Sequence, residues 1–199
     1  MKNIIQHQQP LFQENSSELN ADKANIRQKI RELKKMMNEP QKHQEANAVF
    51  TKIELLPEFI ASKTILLYWS TPDELPTHEI VEKWSYEKQV VLPTVVGDNL
   101  ALKSYVAGGA MTQGALGIWE PDSSENYTGN IDLVIVPGVA FDAKRNRLGR
   151  GRGFYDRFFK TNNSMKIGIG FDFQLLSEIP TSKFDIQMDK IVTPFKTIE

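Results

Sequence analysis

Basic residues alternate with glycines in the segment 144–157, where Asp156 is the only acid. The cationic residues of this segment are Lys144, Arg145, Arg147, Arg150, Arg152 and Arg157. Gly149, Gly151 and Gly153 let a backbone pass close to a ligand and turn its amides inward. Because a charge-assisted hydrogen bond contributes roughly 1.5–3 kcal/mol, a few such contacts can hold a polyphosphate. The segment therefore predicts a phosphate site, although a solvated mobile loop or an RNA-binding Arg-Gly segment would have the same composition.

The elements predicted around this segment are those that can present it to an anion. Residues 133–136 form an unbroken apolar run, as in a parallel strand buried on both faces. Pro137 and Gly138 end this strand, because proline cannot donate a hydrogen bond to a neighbouring strand. Residues 154–159 are predicted to begin a helix. A strand, a glycine loop and a helix N-terminus together direct amides at phosphate.

The run 136–159 resembles the signature of the 5-formyltetrahydrofolate cyclo-ligases, also called 5,10-methenyltetrahydrofolate synthetases. The parts of the family pattern are Val136-Pro137-Gly138, Phe141-Asp142, Arg147-Leu148-Gly149, Gly151, Gly153 and Tyr155-Asp156. The family usually has a tyrosine where this chain has Phe154, so one hydroxyl contact is lost. A motif of this length and fixed spacing is far more specific than a lone glycine triplet.

The resemblance implies that ATP is bound by the glycine loop and by a helix near the N-terminus. Lys23 and Arg27 are four residues apart, so they project from one side of that helix. Their spacing alone would equally fit a solvated face, but they match the family's ATP-contacting lysine and arginine. The loop residues to which the resemblance assigns ATP are Arg147, Leu148, Gly149, Arg150, Gly151, Arg152, Gly153, Phe154 and Tyr155. Within this set, the resemblance assigns catalytic contacts to Arg150, Arg152 and Tyr155.

The resemblance also assigns the reduced folate substrate to several segments. Glu74, in the turn after a predicted strand, matches a family glutamate that contacts folate, and Trp69 matches an apolar wall of the pocket. Core packing would explain Trp69 equally well. Trp119 and Glu120 belong to a segment similar to the family's Gly-Ile-x-Glu-Pro element, which borders the folate site. The loop residues assigned to the substrate are Arg150, Gly151, Arg152, Gly153 and Phe154.

A magnesium site is the remaining feature that the resemblance implies. Asp156 follows the glycine loop, and Asp189 matches a family magnesium ligand in the C-terminal segment. Magnesium is commonly held by one or two carboxylates, with phosphates and waters completing its coordination. We therefore expect the two aspartates to meet beside the loop. Alternatives are a helix-end charge for Asp156 and a surface strand position for Asp189.

Apolar periodicity along the chain predicts strands that alternate with helices. The predicted helices are 21–37, 43–56 and 77–88, and the predicted strands are 64–69, 90–92, 100–106, 133–136 and 166–171. This alternation predicts an α/β fold, a single three-layer domain with a mostly parallel sheet and helices on both faces. We expect residues 1–19 to be a flexible N-terminal extension and residues 20–199 to form the domain.

The composition excludes several classes of site. The 199 residues include no cysteine and three histidines without ligand spacing, so thiol chemistry and thiolate metal sites are excluded. The net charge of −1 gives no general attraction to nucleic acid or to an anionic membrane. No apolar run approaches the ~18 residues of a membrane span. A cytoplasmic monomer that binds neither nucleic acid nor membrane is expected.

The activity that the resemblance implies is ATP-dependent cyclisation of 5-formyltetrahydrofolate to 5,10-methenyltetrahydrofolate, with release of ADP and phosphate through a phosphorylated formyl intermediate. Such a reaction needs magnesium, cations and amides, and no protein nucleophile. Two other classes remain open. One is a module that binds RNA or a phosphorylated ligand through the Arg-Gly loop, and the other is a sugar-phosphate or acyl-transfer enzyme that does not use ATP.

Overall fold

A seven-stranded sheet forms the centre of the computed structural model, which describes residues 16–114 and 117–199. The helices are α1 (Ser16–Lys35), α2 (Glu39–Glu54), α3 (Pro57–Ala61), α4 (His78–Ser85) and α5 (Phe154–Phe158). The strands are β1 (Thr64–Leu66), β2 (Gln89–Val96), β3 (Asn99–Ser104), β4 (Met111–Gln113), β5 (Trp119–Pro121), β6 (Leu133–Pro137), β7 (Ala140–Asp142), β8 (Arg147–Leu148), β9 (Met165–Ile169), β10 (Leu175–Leu176), β11 (Lys190–Val192) and β12 (Thr197–Ile198).

The central sheet has the order β12-β11-β9-β6-β1-β2-β3. Its five inner strands are parallel, and only the edge strands β12 and β3 run antiparallel to their neighbours. The prediction of a mostly parallel sheet is therefore confirmed. Two small sheets accompany it, the hairpin β4–β5 and the three-stranded sheet β10-β7-β8.

Alternate residues of the central strands pack on opposite faces of the sheet, as a strand requires. Ile65 and Ile135 belong to the core that includes residues of α2, α3 and α4, whereas Leu66 and Val136 belong to the core around Phe159 at the end of α5. Helices and loops thus cover both faces, as predicted. Within the described residues, no helix combines the length and the apolar character that a bilayer crossing needs.

Several element boundaries differ from the sequence prediction. Helix α1 begins at Ser16, before the predicted start, and residues 1–15 of the predicted extension lie outside the described residues. Helix α2 begins at Glu39 because Asn38 caps it: the Asn38 side chain accepts a hydrogen bond from Gln41 N over 2.9 Å, and the Gln41 side chain accepts one from Asn38 N. The predicted end of the strand 90–92 is wrong, since β2 continues through Pro93 to Val96. Pro93 is tolerated because β1 ends opposite Val91, so Pro93 has a strand neighbour only in β3.

The predicted strand 64–69 is longer than the observed β1, which ends at Leu66. Residues 67–77 form a structured turn. Thr77 precedes α4, but its side chain does not cap that helix. Its hydroxyl instead donates to Tyr68 O over 2.7 Å and accepts from Ser70 N over 3.0 Å. These buried bonds fix the segment that follows β1, which carries the predicted folate residues.

Candidate active site

The carboxyl ends of β1 and β6 lie side by side and present two loops at the same edge of the sheet. In parallel α/β sheets ligands bind at this edge. The loop after β1 carries Trp69 and Glu74. The chain after β6 enters β7 and β8 of the small sheet, which lead into the glycine loop.

A buried carboxylate fixes the turn that leads into the glycine loop. Asp142 is fully buried, and its oxygens accept hydrogen bonds from the backbone nitrogens of Lys144 and Asn146 over 2.9 and 3.0 Å and from Ile179 N over 3.1 Å. Phe141 packs with its ring against Gly138, where a Cβ would lie 2.4 Å from a ring carbon. The Phe-Asp pair and the glycine of the signature therefore act together to shape this turn.

The glycine loop has the backbone that its sequence predicts. Gly151 has φ +100° and Gly153 has φ +67°, which are conformations that side-chain-bearing residues rarely adopt. Arg27 donates from Nε to Gly149 O over 2.9 Å. Leu148 is buried with Ile30 of α1, so only its backbone can face a ligand. The loop is fixed by these contacts, which disfavours the interpretation as a mobile basic loop.

Two residues of the signature form an ion pair beneath the loop. Arg147 is buried, and its Nη2 lies 3.1 Å from Asp156 Oδ1. The guanidinium carbon of Arg147 lies 5.5 Å from the centre of the Tyr155 ring. Burial, followed by the nearby charge of Glu74, raises the pKa of Tyr155. The Tyr155 hydroxyl is therefore protonated at neutral pH and can serve as a hydrogen-bond donor.

Helix α1 directs both of its predicted ATP-binding cations at the site. Lys23 is buried, and its Nζ lies 2.5 Å from Asp185 Oδ2. Burial alone would raise the pKa of Asp185, but the hydrogen bonds from Lys23 and from Ser182 N lower it. Asp185 also precedes Ile186, whose N–H donates to Asp156 Oδ1 over 3.3 Å. The C-terminal segment is thus anchored between α1 and α5.

Arg150 joins the glycine loop to the turn after β1. Its Nη2 donates to Thr71 Oγ1, Asp73 Oδ1 and Glu74 Oε1 over 2.9, 2.7 and 3.1 Å. The other oxygen of Glu74 accepts from Thr71 N over 2.9 Å. Burial would raise the pKa of Asp73, but the hydrogen bonds from Arg150 and Thr71 lower it. The predicted ATP loop and a predicted folate residue are therefore in direct contact.

A cavity of about 740 Å³ opens beside this turn. Of the predicted folate residues, its wall contains Trp69, Glu74 and Trp119. The ring of Trp69 stacks on His78, with centroids 4.1 Å apart and planes 16° apart. One face of α2 forms the opposite wall with residues that the sequence prediction did not name: His43, Asn47 and Thr51. Their spacing of four residues is the signal that could have identified a polar helix face.

Three other predicted site residues lie outside the contacts described above, and their predicted roles stay predictions. Glu120 is not among the described residues that line the cavity, and its Oε1 lies 3.4 Å from Lys103 Nζ. Arg152 is exposed, and its side chain makes no hydrogen bond within 16–114 and 117–199. Phe154 lies beneath Arg157, whose guanidinium carbon is 5.5 Å from the ring centre.

The expected meeting of Asp156 and Asp189 is corrected by the structure. Asp189 precedes β11 and lies opposite Lys166 near the start of β9, at the amino-terminal edge of the sheet. Its Oδ2 accepts from Lys166 N over 2.7 Å and lies 3.0 Å from Lys166 Nζ. The structure instead brings Asp185 next to the loop. Within the described residues no group of three or more His, Asp or Glu could hold a metal ion.

Comparison with known proteins gives a consistent result. The model of the 5-formyltetrahydrofolate cyclo-ligase family matches residues 19–194. A probable 5-formyltetrahydrofolate cyclo-ligase from Caenorhabditis elegans is 30% identical over 194 residues, which cover 88% of this chain and 94% of that protein. The cyclo-ligase from Haemophilus influenzae is 30% identical over 177 residues, covering 84% of this chain and 95% of that one.

A solved structure agrees with these sequence matches. The NMR structure of the Aquifex aeolicus 5,10-methenyltetrahydrofolate synthetase superposes with a TM-score of 0.79 at 31% identity, covering 88% of this chain and 91% of that one. The glycine loop, the adjoining cavity and these matches lead to one conclusion. The chain belongs to the 5-formyltetrahydrofolate cyclo-ligase family.

Proposed function

We propose that this protein cyclises 5-formyltetrahydrofolate to 5,10-methenyltetrahydrofolate and converts ATP to ADP and phosphate. The observation that carries the proposal is the contact of Arg150 with Glu74, because it sets a phosphate-type loop directly beside a cavity large enough for a folate ring system. Family membership supports the same assignment.

The chemistry begins with the formamide of the substrate. Its oxygen attacks the γ-phosphorus of ATP, the bond from that phosphorus to the bridging oxygen breaks, and ADP leaves. The formyl oxygen is now a phosphate ester and a good leaving group. Nitrogen 10 of the folate attacks the activated carbon and loses its proton, and the carbon–oxygen bond breaks. The former formyl oxygen departs with phosphate, leaving the methenyl bridge.

The protein's part in this reaction is to position groups and to neutralise charge. Lys23 and Arg27 are proposed to hold ATP phosphates, together with the amides of residues 149–153. Arg150 would contact the transferred phosphoryl group, and the protonated Tyr155 hydroxyl would donate a hydrogen bond to it. Glu74 would accept a hydrogen bond from the folate, and Trp69 and Trp119 would provide apolar contact with its rings.

Magnesium is proposed to enter with ATP, and the residues present fit one position for it. Asp156 accepts a hydrogen bond from Ile186 N, the residue that follows Asp185, and Lys23 lies next to Asp185. Two carboxylates suffice, since phosphate oxygens and waters complete the octahedron. When bound there, the ion would offset the negative charge of the phosphates.

An assay with protein, ATP, magnesium and 5-formyltetrahydrofolate tests the proposal. The methenyl product is followed by its near-ultraviolet absorbance, and parallel reactions omit ATP. ATP-dependent product formation is expected. Salt-sensitive binding of RNA without turnover would favour a nucleic-acid module, and product formation without ATP would favour an acyl-transfer enzyme. A monomer is also proposed, and light scattering on the purified protein tests it.

A further inference from the structure

Helix α1 presents a third cation to the site beyond the two predicted from the sequence. Lys23, Arg27 and Lys34 recur at spacings of four and seven residues, which places them along one side of the helix. Each contacts a different segment: Lys23 the C-terminal segment at Asp185, Arg27 the glycine loop at Gly149 O, and Lys34 the turn after β1. One helix face thus contacts the glycine loop and two segments beside it.

Lys34 is the most deeply buried of these three cations. Its side chain is 6% exposed, and its Nζ lies 3.7 Å from Asp73 Oδ2. Asp73 is its one ion-pair partner among the residues that the structure describes. Burial lowers the pKa of Lys34, and the charges of Asp73 and Glu74 oppose this effect. A buried ammonium with so few partners is costly unless a nearby carboxylate offsets its charge.

The two oxygens of Asp73 face two different cations. Oδ2 faces Lys34, while Oδ1 accepts from Arg150 Nη2 over 2.7 Å. Arg150 also bonds Glu74, so two cations and two carboxylates balance one another. Without Lys34, this network would carry an excess negative charge, and Asp73 would lose the contact that orients it toward Arg150.

We propose that Lys34 is a positioning residue that acts through Asp73 to hold Arg150 between the nucleotide loop and the folate turn. This inference rests on the proposed function, because it assigns the two ligands to those two segments. In this role Lys34 acts on Arg150 through Asp73 and needs no contact of its own with either ligand. Through the contact of Lys34 with Asp73, the ordering of the nucleotide loop depends on the ordering of the folate turn. Binding of ATP therefore increases the affinity for the folate, and binding of the folate increases the affinity for ATP.

Such a dependence is measurable as a coupling between two binding equilibria, which must be reciprocal. Calorimetry with a non-hydrolysable ATP analogue and with 5-formyltetrahydrofolate gives each dissociation constant, alone and with the other ligand saturating. For the wild type we expect each ligand to tighten the other about tenfold, within the usual range for coupled sites. For Lys34→Met we expect a coupling below about twofold, with each separate dissociation constant changed less than about threefold.

Matched variants separate positioning from general stability. Lys35→Met removes the neighbouring cation of the same helix, which is exposed and pairs only with Glu32 among the described residues, and it should keep the wild-type coupling. Lys34→Arg should restore most of the coupling. Asp73→Asn removes the carboxylate that links Lys34 to Arg150, so this variant should also lose the coupling. It tests the proposal even if Lys34→Met fails to fold.

The outcomes distinguish this inference from the proposed function. Unchanged coupling in Lys34→Met or Asp73→Asn, with both ligands bound, would overturn the positioning role and leave the activity intact. A wild type that binds and turns over both ligands without any coupling would overturn it as well. A wild type that neither binds nor converts 5-formyltetrahydrofolate would instead overturn the proposed function.

Discussion

Arg150 of the glycine loop donates a hydrogen bond to Glu74 of the turn after β1 over 3.1 Å. The two residues are far apart in the chain, and they belong to segments that the sequence links to different ligands. Because one side chain spans both segments, binding of one ligand is expected to affect the affinity for the other.

Removing the charge of Glu74 should affect the folate first. Glu74→Gln keeps the size of the side chain but loses the carboxylate that accepts from both Arg150 and Thr71 N. A charged hydrogen bond contributes roughly 1.5–3 kcal/mol, so the Michaelis constant for folate should rise at least about tenfold. Binding of the ATP analogue without folate should change little. Equal folate kinetics in Glu74→Gln and in the exposed-site control Glu125→Gln would place the folate pocket elsewhere.

Removing the two cations of α1 should affect ATP first. In Lys23→Ala/Arg27→Ala, the loop loses its contact at Gly149 O and the site loses two positive charges. The Michaelis constant for ATP should rise by more than about tenfold, well before that for folate. Lys29→Ala/Arg31→Ala removes the same residue types from the exposed side of α1 and should leave both constants unchanged. A change in folate affinity alone would show that α1 does not bind ATP.

A Cβ at Gly151 should weaken ATP binding beyond its effect on stability. Gly151 has φ +100°, so alanine there costs roughly 1–2 kcal/mol of backbone strain. Gly108 has φ +67°, and a Cβ added to it would meet no heavy atom within 4 Å, so Gly108→Ala supplies comparable strain in open space. Both variants should melt at lower temperature, but only Gly151→Ala should bind the ATP analogue more weakly. Normal nucleotide affinity in Gly151→Ala would mean that the loop backbone does not approach phosphate.

We expect Asp156 and Asp185 to be the carboxylates that bind magnesium. In Asp156→Asn and Asp185→Asn, the magnesium concentration for half-maximal turnover should rise, with partial recovery at high magnesium. Asp189→Asn removes the carboxylate bound to Lys166 at the far edge of the sheet. Its magnesium titration should superimpose on that of the wild type. A shift in Asp189→Asn combined with wild-type titrations for the other two would reverse the assignment.

Local sequence patterns were sufficient to predict β6, the glycine loop and the side of α1 that carries Lys23 and Arg27. The apolar run of β6 and the alternating glycines determine their own backbone, because only glycine adopts the φ values of Gly151 and Gly153 at little cost. Lys23 and Arg27 were placed correctly on one face of α1, since helical spacing fixes their relative direction.

The residues that were missed depend on contacts between distant segments. Asp185 and Asp189 stand four apart in a segment that is not helical, and only the start of β11 decides which of them reaches the loop. The wall formed by α2 was missed because helical spacing predicts a polar face with His43, Asn47 and Thr51 but not the segment that this face lies beside. The contact of Lys34 with Asp73 also requires the fold, since their segments meet only through tertiary packing.

The most direct test of the central claim follows the oxygen of the formyl group. 5-Formyltetrahydrofolate labelled with oxygen-18 in that group is incubated with the protein, magnesium and unlabelled ATP, and the released phosphate is analysed by mass spectrometry. Transfer of the formyl oxygen to the γ-phosphoryl group predicts one labelled oxygen in each phosphate formed, in step with the methenyl product. Methenyl product accompanied by unlabelled phosphate would contradict activation of the formyl oxygen by ATP.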